Sequence, residues 1–243
     1  MYLPYQIRKL ATQFDVERLQ SDLATVPEHW WVSHRFEGTG HDVLLLVTTH
    51  GTLKNPDGTD NHLLLPPFKP TEYLRSLHYF REVLDCFGIP PSRARLMRLG
   101  PGEFVKPHRD LHPHWNNKVR IHIPVLSHPE TLWHIWRDGP ECSESDRITV
   151  HMVPGEVWVF NTFYYHAVSN RTPQVRVHLV ADFEPYHRLH DYVFSDCTPN
   201  EITQAKEFVY PPYAPDSEVL RWANGTSGIS GLNPPLPESN ARP

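Results

Sequence analysis

The sequence predicts a mainly β protein, built as a sandwich or a barrel, and three observations carry that expectation. Proline is abundant, 25 of 243 residues, and proline punctuates chains while being excluded from helix interiors. Residues 91–185 break into short segments rich in β-branched and aromatic residues, at 95–99, 119–126, 132–137, 148–153, 156–161 and 175–183, with turn signals between them. No period of about 20–50 residues recurs, which excludes solenoids and propellers.

Composition narrows the function classes. Hydrophobic residues make up 39% of the chain and charged residues 21%, enough for a core and against wholesale disorder. A formal charge of −5 argues against nucleic-acid binding, which shows as a basic face. Seventeen histidines raise the expectation of a metal site. Cys86, Cys142 and Cys197 stand far apart, so neither a zinc ribbon nor a disulfide framework is expected. The start, MYLPYQIRKL, is not a signal peptide, and the apolar run at 43–47 is far too short to span a bilayer. A cytoplasmic protein that engages neither membrane nor nucleic acid is the expectation, with the oligomeric state left open.

Three zones follow in order. Residues 1–90 are a mixed α/β segment expected to pack on the β core. Within it Asp15 is placed to cap a short helix carrying Val16, Leu19 and Leu23. Residues 41–49 read as a strand, closed by Gly51 and the turn signal at Asn55-Pro56-Asp57-Gly58. From Thr71 the apolar residues Tyr73, Leu77, Phe80, Leu84 and Phe87 recur three or four apart, predicting one amphipathic helix over 71–87, stopped by Gly88, Pro90 and Pro91. Residues 91–185 are the β core. In residues 186–243, Thr198-Pro199-Asn200-Glu201 reads as a capping box opening a helix to about residue 209, and 224–243 as a Pro/Gly-rich tail.

Two strand segments share the pattern Val-Arg-x-His: VRIHIPV from Val119 and VRVHLVA from Val175. Strand alternation sets Val119, Ile121 and Ile123 against Arg120 and His122, and Val175, Val177 and Leu179 against Arg176 and His178. A sheet with one wet face and a barrel whose interior carries these cations both satisfy that pattern.

The segment GPGEFVKPHRD ends with His108 and Asp110 two apart, a spacing that puts both side chains on one face of a strand. His166 follows 56 residues after Asp110, just beyond EVWVFN. Two histidines and one carboxylate on one side of an ion form the facial triad of Fe(II) oxygenases, which leaves positions open for other ligands. His112 and His114 compete as ligands but sit in a polar loop, and no His-Glu-x-x-His zincin motif occurs. Arg176 lies ten residues beyond His166 on the strand expected to neighbour it. A guanidinium fork suits the distal carboxylate of a dicarboxylate better than an ammonium does, although a surface ion pair would also account for an arginine there.

Taken together and in this order, GPGEFVKPHRD, VRIHIPV, PGEVWVFNTFYYHAVSN and VRVHLVADFEP resemble the aspartyl/asparaginyl β-hydroxylase family, which also contains bacterial proline cis-hydroxylases. The resemblance spans roughly residues 91–185. It implies a double-stranded β-helix, a jelly-roll of cupin type, with flanking helices. It also implies Fe(II), 2-oxoglutarate as cosubstrate, O2, and hydroxylation of an unactivated C–H bond with release of succinate and CO2. His108, Asp110 and His166 would hold the metal, Arg176 the cosubstrate, and Arg120 and His122 would touch the cosubstrate as well. The substrate implied is a small molecule or peptide: an amino acid, or an amino-acid residue within a peptide or natural product. Asp110 stands where the animal enzymes have glycine, so the chain resembles the bacterial branch, and Met97 stands where a cosubstrate-binding serine would lie.

Two other readings remain. His166-Ala-Val-Ser-Asn170 resembles the second cupin motif, which would make the chain a metal-binding isomerase or a dioxygenase without 2-oxoglutarate. Against it, Asp110 occupies the place of the first motif's second histidine. A non-catalytic barrel serving as a binding module is the third reading. Succinate formation separates the first from both.

Overall fold

In the computed structural model, the described residues are 3, 5–36, 39–112, 114–115, 118–137, 146–184, 189 and 193. The expected helix from Thr198, the Pro/Gly-rich tail, Cys142 and Cys197 lie outside them.

The chain opens with β1 (Ile7–Gln13) and α1 (Val16–Ala24). The Asp15 carboxylate accepts from Arg18 N, so the cap forms where the sequence placed it. Then come β2 (Val32–Phe36), β3 (Thr39–Thr49) and β4 (Phe68–Pro70). The helix expected over 71–87 is instead two, α2 (Glu72–Ser76) and α3 (His78–Asp85), broken at Leu77. The cause is tertiary: the Asp22 carboxylate of α1 accepts from Tyr79 N at 2.7 Å and Phe80 N at 3.2 Å. A borrowed cap thus starts a second helix where periodicity saw one. The apolar stripe still faces inward, with Leu77, Phe80, Val83 and Leu84 buried.

The remaining strands are β5 (Arg93–Leu99), β6 (Phe104–His108), β7 (Val119–Leu126), β8 (Thr131–Trp136), β9 (Arg147–Val150), β10 (Glu156–Phe160), β11 (Tyr165–Asn170) and β12 (Arg176–Phe183). They distribute between two antiparallel sheets: a major one in the order β1-β10-β7-β12-β5-β3-β2 and a minor one in the order β6-β11-β8-β9. Within β5–β12 the chain crosses repeatedly from one sheet to the other. That is the winding of a double-stranded β-helix, the architecture expected. The major sheet also takes in β1, β2 and β3, so strands from the segment before residue 91 extend the wall of the barrel rather than only packing on it.

The two faces of the major sheet divide the side chains as the alternation predicted. Outward, Val119, Ile121, Ile123, Val177, Leu179 and Ala181 merge with Leu19, Phe80, Val83 and Leu84 of the helices in the main apolar core. The helices buttress the barrel from outside, and the burial of that layer supplies most of the hydrophobic stabilisation. Between the sheets a smaller cluster holds Leu99, Trp133, Ile135, Phe160 and Val168. The turn into β10 needs a glycine. Gly155 has φ +83°, its N and O bond Pro124 O and Phe14 N, and a Cβ there would lie 2.6 Å from Phe14 O. No helix among the described residues is long and apolar enough to cross a membrane.

Candidate active site

His108 ends β6 and His166 lies on β11, and the two are directly paired across these antiparallel strands. Cross-strand partners are the closest side chains a sheet provides, and the ring centroids stand 4.2 Å apart. Asp110 follows two residues after His108, held by its own N–H donating to Thr162 O at 3.0 Å. Ligand atoms of His108, Asp110 and His166 all lie within 4.8 Å of one another, and these three alone among the described residues form such a cluster.

The imidazoles are oriented alike. His108 Nδ1 is 2.9 Å from Lys106 O and His166 Nδ1 is 3.0 Å from Tyr164 O. A carbonyl can only accept, so in both rings Nδ1 carries the proton and Nε2 keeps its lone pair for a cation. Burial, with His108 alongside, pushes His166 down to about 3, so it is neutral and ready to ligate. Burial would raise the Asp110 carboxyl, but Arg120, His166 and His108 outweigh it and hold the group below its usual range, as a carboxylate. A carboxylate and two imidazoles on one side of a point suit a divalent transition metal and leave its other positions open.

Beside this cluster lies a pocket of unanswered donors. Arg176, on β12, is 1% exposed. Its Nη1 is 3.2 Å from His41 Nε2, and its Nε and Nη2 are buried with no hydrogen-bond partner among the described residues. Burial lowers it to about 9, and its guanidinium lies 5.4 Å from the Trp133 ring centroid. Both nitrogens of His122, Nδ1 of His178 and Nε1 of Trp133 are likewise buried and unpaired. The His122 ring is 4.8 Å from Trp133 and 5.9 Å from His178, and Trp133 stacks on His166 at 6.1 Å. Buried polar atoms of this kind favour a polar partner, and an anion suits an unpaired guanidinium.

Arg120 departs from the role the resemblance implied. Its Nε and Nη2 donate to the two oxygens of Asp182 at 2.7 Å and 3.1 Å, and its Nη1 donates to Asp110 Oδ2. Its donors are committed to carboxylates, and it fixes one oxygen of Asp110 so that Oδ1 faces His108. His122, in contrast, lies in the donor pocket. The competing histidines do not join the cluster: buried His114 stands 3.8 Å from Asp182, and His112 packs edge-on to Trp115. Sequence reasoning missed Trp133, His41 and Asp182. The one sequence signal for Trp133 and Asp182 was their place on strands already predicted, at positions alternating with core residues.

A jelly-roll barrel that gathers this His/Asp/His cluster beside a group of buried, unpaired donors has the anatomy of an oxidoreductase. Residues 69–185 match the family model described as Aspartyl/Asparaginyl beta-hydroxylase. Among solved structures, an oxidoreductase of the 2OG-Fe(II) oxygenase family from Burkholderia pseudomallei is similar at 12% identity, over 70% of this chain and 79% of that one, with a TM-score of 0.48. A Pseudomonas putida prolyl-4-hydroxylase is similar at 13% identity, over 75% of this chain and 94% of that one, with a TM-score of 0.44. A cupin domain from Bordetella pertussis matches at 16% identity over 37% of this chain and 78% of that one, with a TM-score of 0.28.

Proposed function

We propose that the protein is an Fe(II)- and 2-oxoglutarate-dependent dioxygenase that hydroxylates an unactivated C–H bond of an amino acid or of an amino-acid residue in a peptide or natural product. The observation that carries this reading is Arg176: a fully buried guanidinium with two unpaired nitrogens, set among the unpaired His122, His178 and Trp133 and next to the His/Asp/His cluster. A cupin-type isomerase needs no such anion anchor.

His108, Asp110 and His166 would hold the iron through Nε2, Oδ1 and Nε2. Bound there, iron with 2-oxoglutarate and O2 supplies the oxidant for C–H hydroxylation, with succinate and CO2 released. Arg176 binds the distal carboxylate of 2-oxoglutarate, and the neutral His122 and His178 offer it N–H donors without adding charge. Trp133 stacks on His166 and helps to hold that ring in place. Arg120 keeps Asp110 ionised and oriented, and Asp182 keeps Arg120 in place.

The direct experiment is succinate release by the purified protein supplied with Fe(II), ascorbate and 2-oxoglutarate, alone and with an amino-acid panel. No succinate under any condition would sink the reading. Asp110→Ala should weaken Mn(II) binding, followed calorimetrically, by more than the roughly 10- to 100-fold that loss of an outer-shell partner costs.

A further inference from the structure

Arg95 is a buried cation that the site above does not use. It lies on the inner face of β5 with Arg93 and Met97, across from Val180 of β12. It is 6% exposed, its Nη1 is buried without a partner, and among the described residues the side chains of Arg95 and Arg93 make no hydrogen bond or ion pair. The acids that act on Arg95 electrostatically are Asp182 and Asp110. Both are already engaged, since Arg120 donates to the two oxygens of Asp182 and to Asp110.

The inner face thus carries Arg93, Arg95, Arg120 and Arg176 against Asp110 and Asp182, and a divalent metal would widen the excess. A dianion at Arg176 answers part of it. It does not reach Arg95, because Arg95 lies level with Val180, four residues along β12 from Arg176, roughly 13 Å away at strand spacing. Arg95 is instead level with His122, which also pairs with Val180 from the other side, about 10 Å away across two strand spacings. It lies on the same inner face as His122, and Asp110 of the His/Asp/His cluster is near enough to act on it electrostatically. The His34 and His62 rings, 4.6 Å apart, stand beside it. Burial, Arg93 and Arg95 keep both imidazoles neutral, and His62 Nδ1 is a further buried, unpaired polar atom.

We propose that Arg95, supported by Arg93 and by His34 and His62, is a second anion subsite that receives the substrate's carboxylate, so that the substrate is a free amino acid or similar small carboxylic acid rather than an internal residue of a polypeptide. This rests on the reading of His108, Asp110 and His166 as the iron site and of Arg176 as the 2-oxoglutarate anchor. The assignment leaves no inner-face guanidinium without an anion and makes the carboxylate the handle that orients the C–H bond.

The test compares each common L-amino acid with its primary carboxamide, on the full-length protein with Fe(II) and 2-oxoglutarate, by stimulated succinate release. A thermal-shift series with Mn(II) in place of iron runs in parallel. At least one acid should stimulate, and its amide should bind about 10- to 100-fold more weakly. In Arg95→Met that preference should collapse, and the melting temperature of the unliganded variant should hold or rise, because a buried charge without an acid is removed. Equal response to acid and amide would overturn the proposal. So would a wild-type enzyme that turns over 2-oxoglutarate but answers to no free amino acid in either assay. A lower melting temperature with the preference retained would show Arg95 to be a structural cation instead. Basal succinate release by the wild type separates this failure from a failure of the underlying function, which would abolish that release as well.

Discussion

Arg120 and Arg176 are both buried on the inner face of the major sheet, yet the barrel treats them in opposite ways. Arg120 is paired: two carboxylates accept from its three nitrogens, and although burial alone would lower it, Asp182 and Asp110 hold it firmly charged. Among the described residues Arg176 has only the His41 imidazole, and burial pulls it down to about 9. The same residue type on adjacent strands thus serves once as an internal brace and once as a receptor. What distinguishes them is the presence of a counter-ion, which the fold supplies at the Asp182 end of β12 and withholds at the Arg176 end.

Removing the counter-ion should produce the largest effect. Asp182→Ala strands Arg120 and the neighbouring Arg93 in the interior, and breaking a buried pair from one side costs about 3–5 kcal/mol. Urea unfolding of the metal-free protein should show that loss; a change under about 1 kcal/mol would mean Arg120 needs no brace.

Arg176→Ala should act on ligand rather than on fold. The apparent KM for 2-oxoglutarate should rise by roughly 30- to 1000-fold, equivalent to about 2–4 kcal/mol for a lost bidentate contact, with Mn(II) affinity nearly intact. Arg176→Lys should recover part of it. An unchanged requirement for 2-oxoglutarate would erase the distinction between the two arginines.

The comparison sharpens with pH. Burial, Arg93 and Arg95 lower His62 to about 3, against about 6.5 when unfolded. A folded value below the unfolded one means that the unfolded state takes up the proton first. Stability is therefore full above about pH 6.5 and falls as pH drops towards 3. Between pH 7 and pH 5 one such histidine removes about 2 kcal/mol, and His34, His122, His166 and His178 are shifted the same way. Denaturation midpoints that do not move over this interval would show the interior to be wetter than its burial implies.

The smallest effect should come from outside the barrel. Asp15→Ala removes the α1 cap for about 1 kcal/mol and should leave 2-oxoglutarate affinity unchanged. A change in that affinity would tie the helical buttress to the anion pocket.

Much of this architecture is legible in the chain itself. Alternation in VRIHIPV and VRVHLVA separates valine and isoleucine from arginine and histidine, because successive strand residues must point to opposite faces. The spacing of His108 and Asp110 also points to convergence, but β6 ends at His108, and Asp110 is held in the following loop by its N–H on Thr162 O rather than by strand alternation. β6 and β11, which carry the two histidines of the cluster, escape the eye: Lys106-Pro107 breaks the first pattern, and polar residues dilute the second. β6 tolerates Pro107 because it is the edge of its sheet, where one ladder goes unpaired. Local pattern determined the β class, the separation of cations from aliphatic residues along the strands, the α1 cap and the candidate ligands. Only the tertiary structure decided that Leu77 would break a helix, since the deciding carboxylate, Asp22, lies 57 residues from Tyr79 in sequence. Likewise, only folding brought Asp182 to Arg120 across 62 residues while leaving Arg176 without an acid among the described residues. Whether a buried charge is a brace or a binding site depends on which distant side chains share its dielectric environment, and that pairing is a property of packing rather than of local sequence.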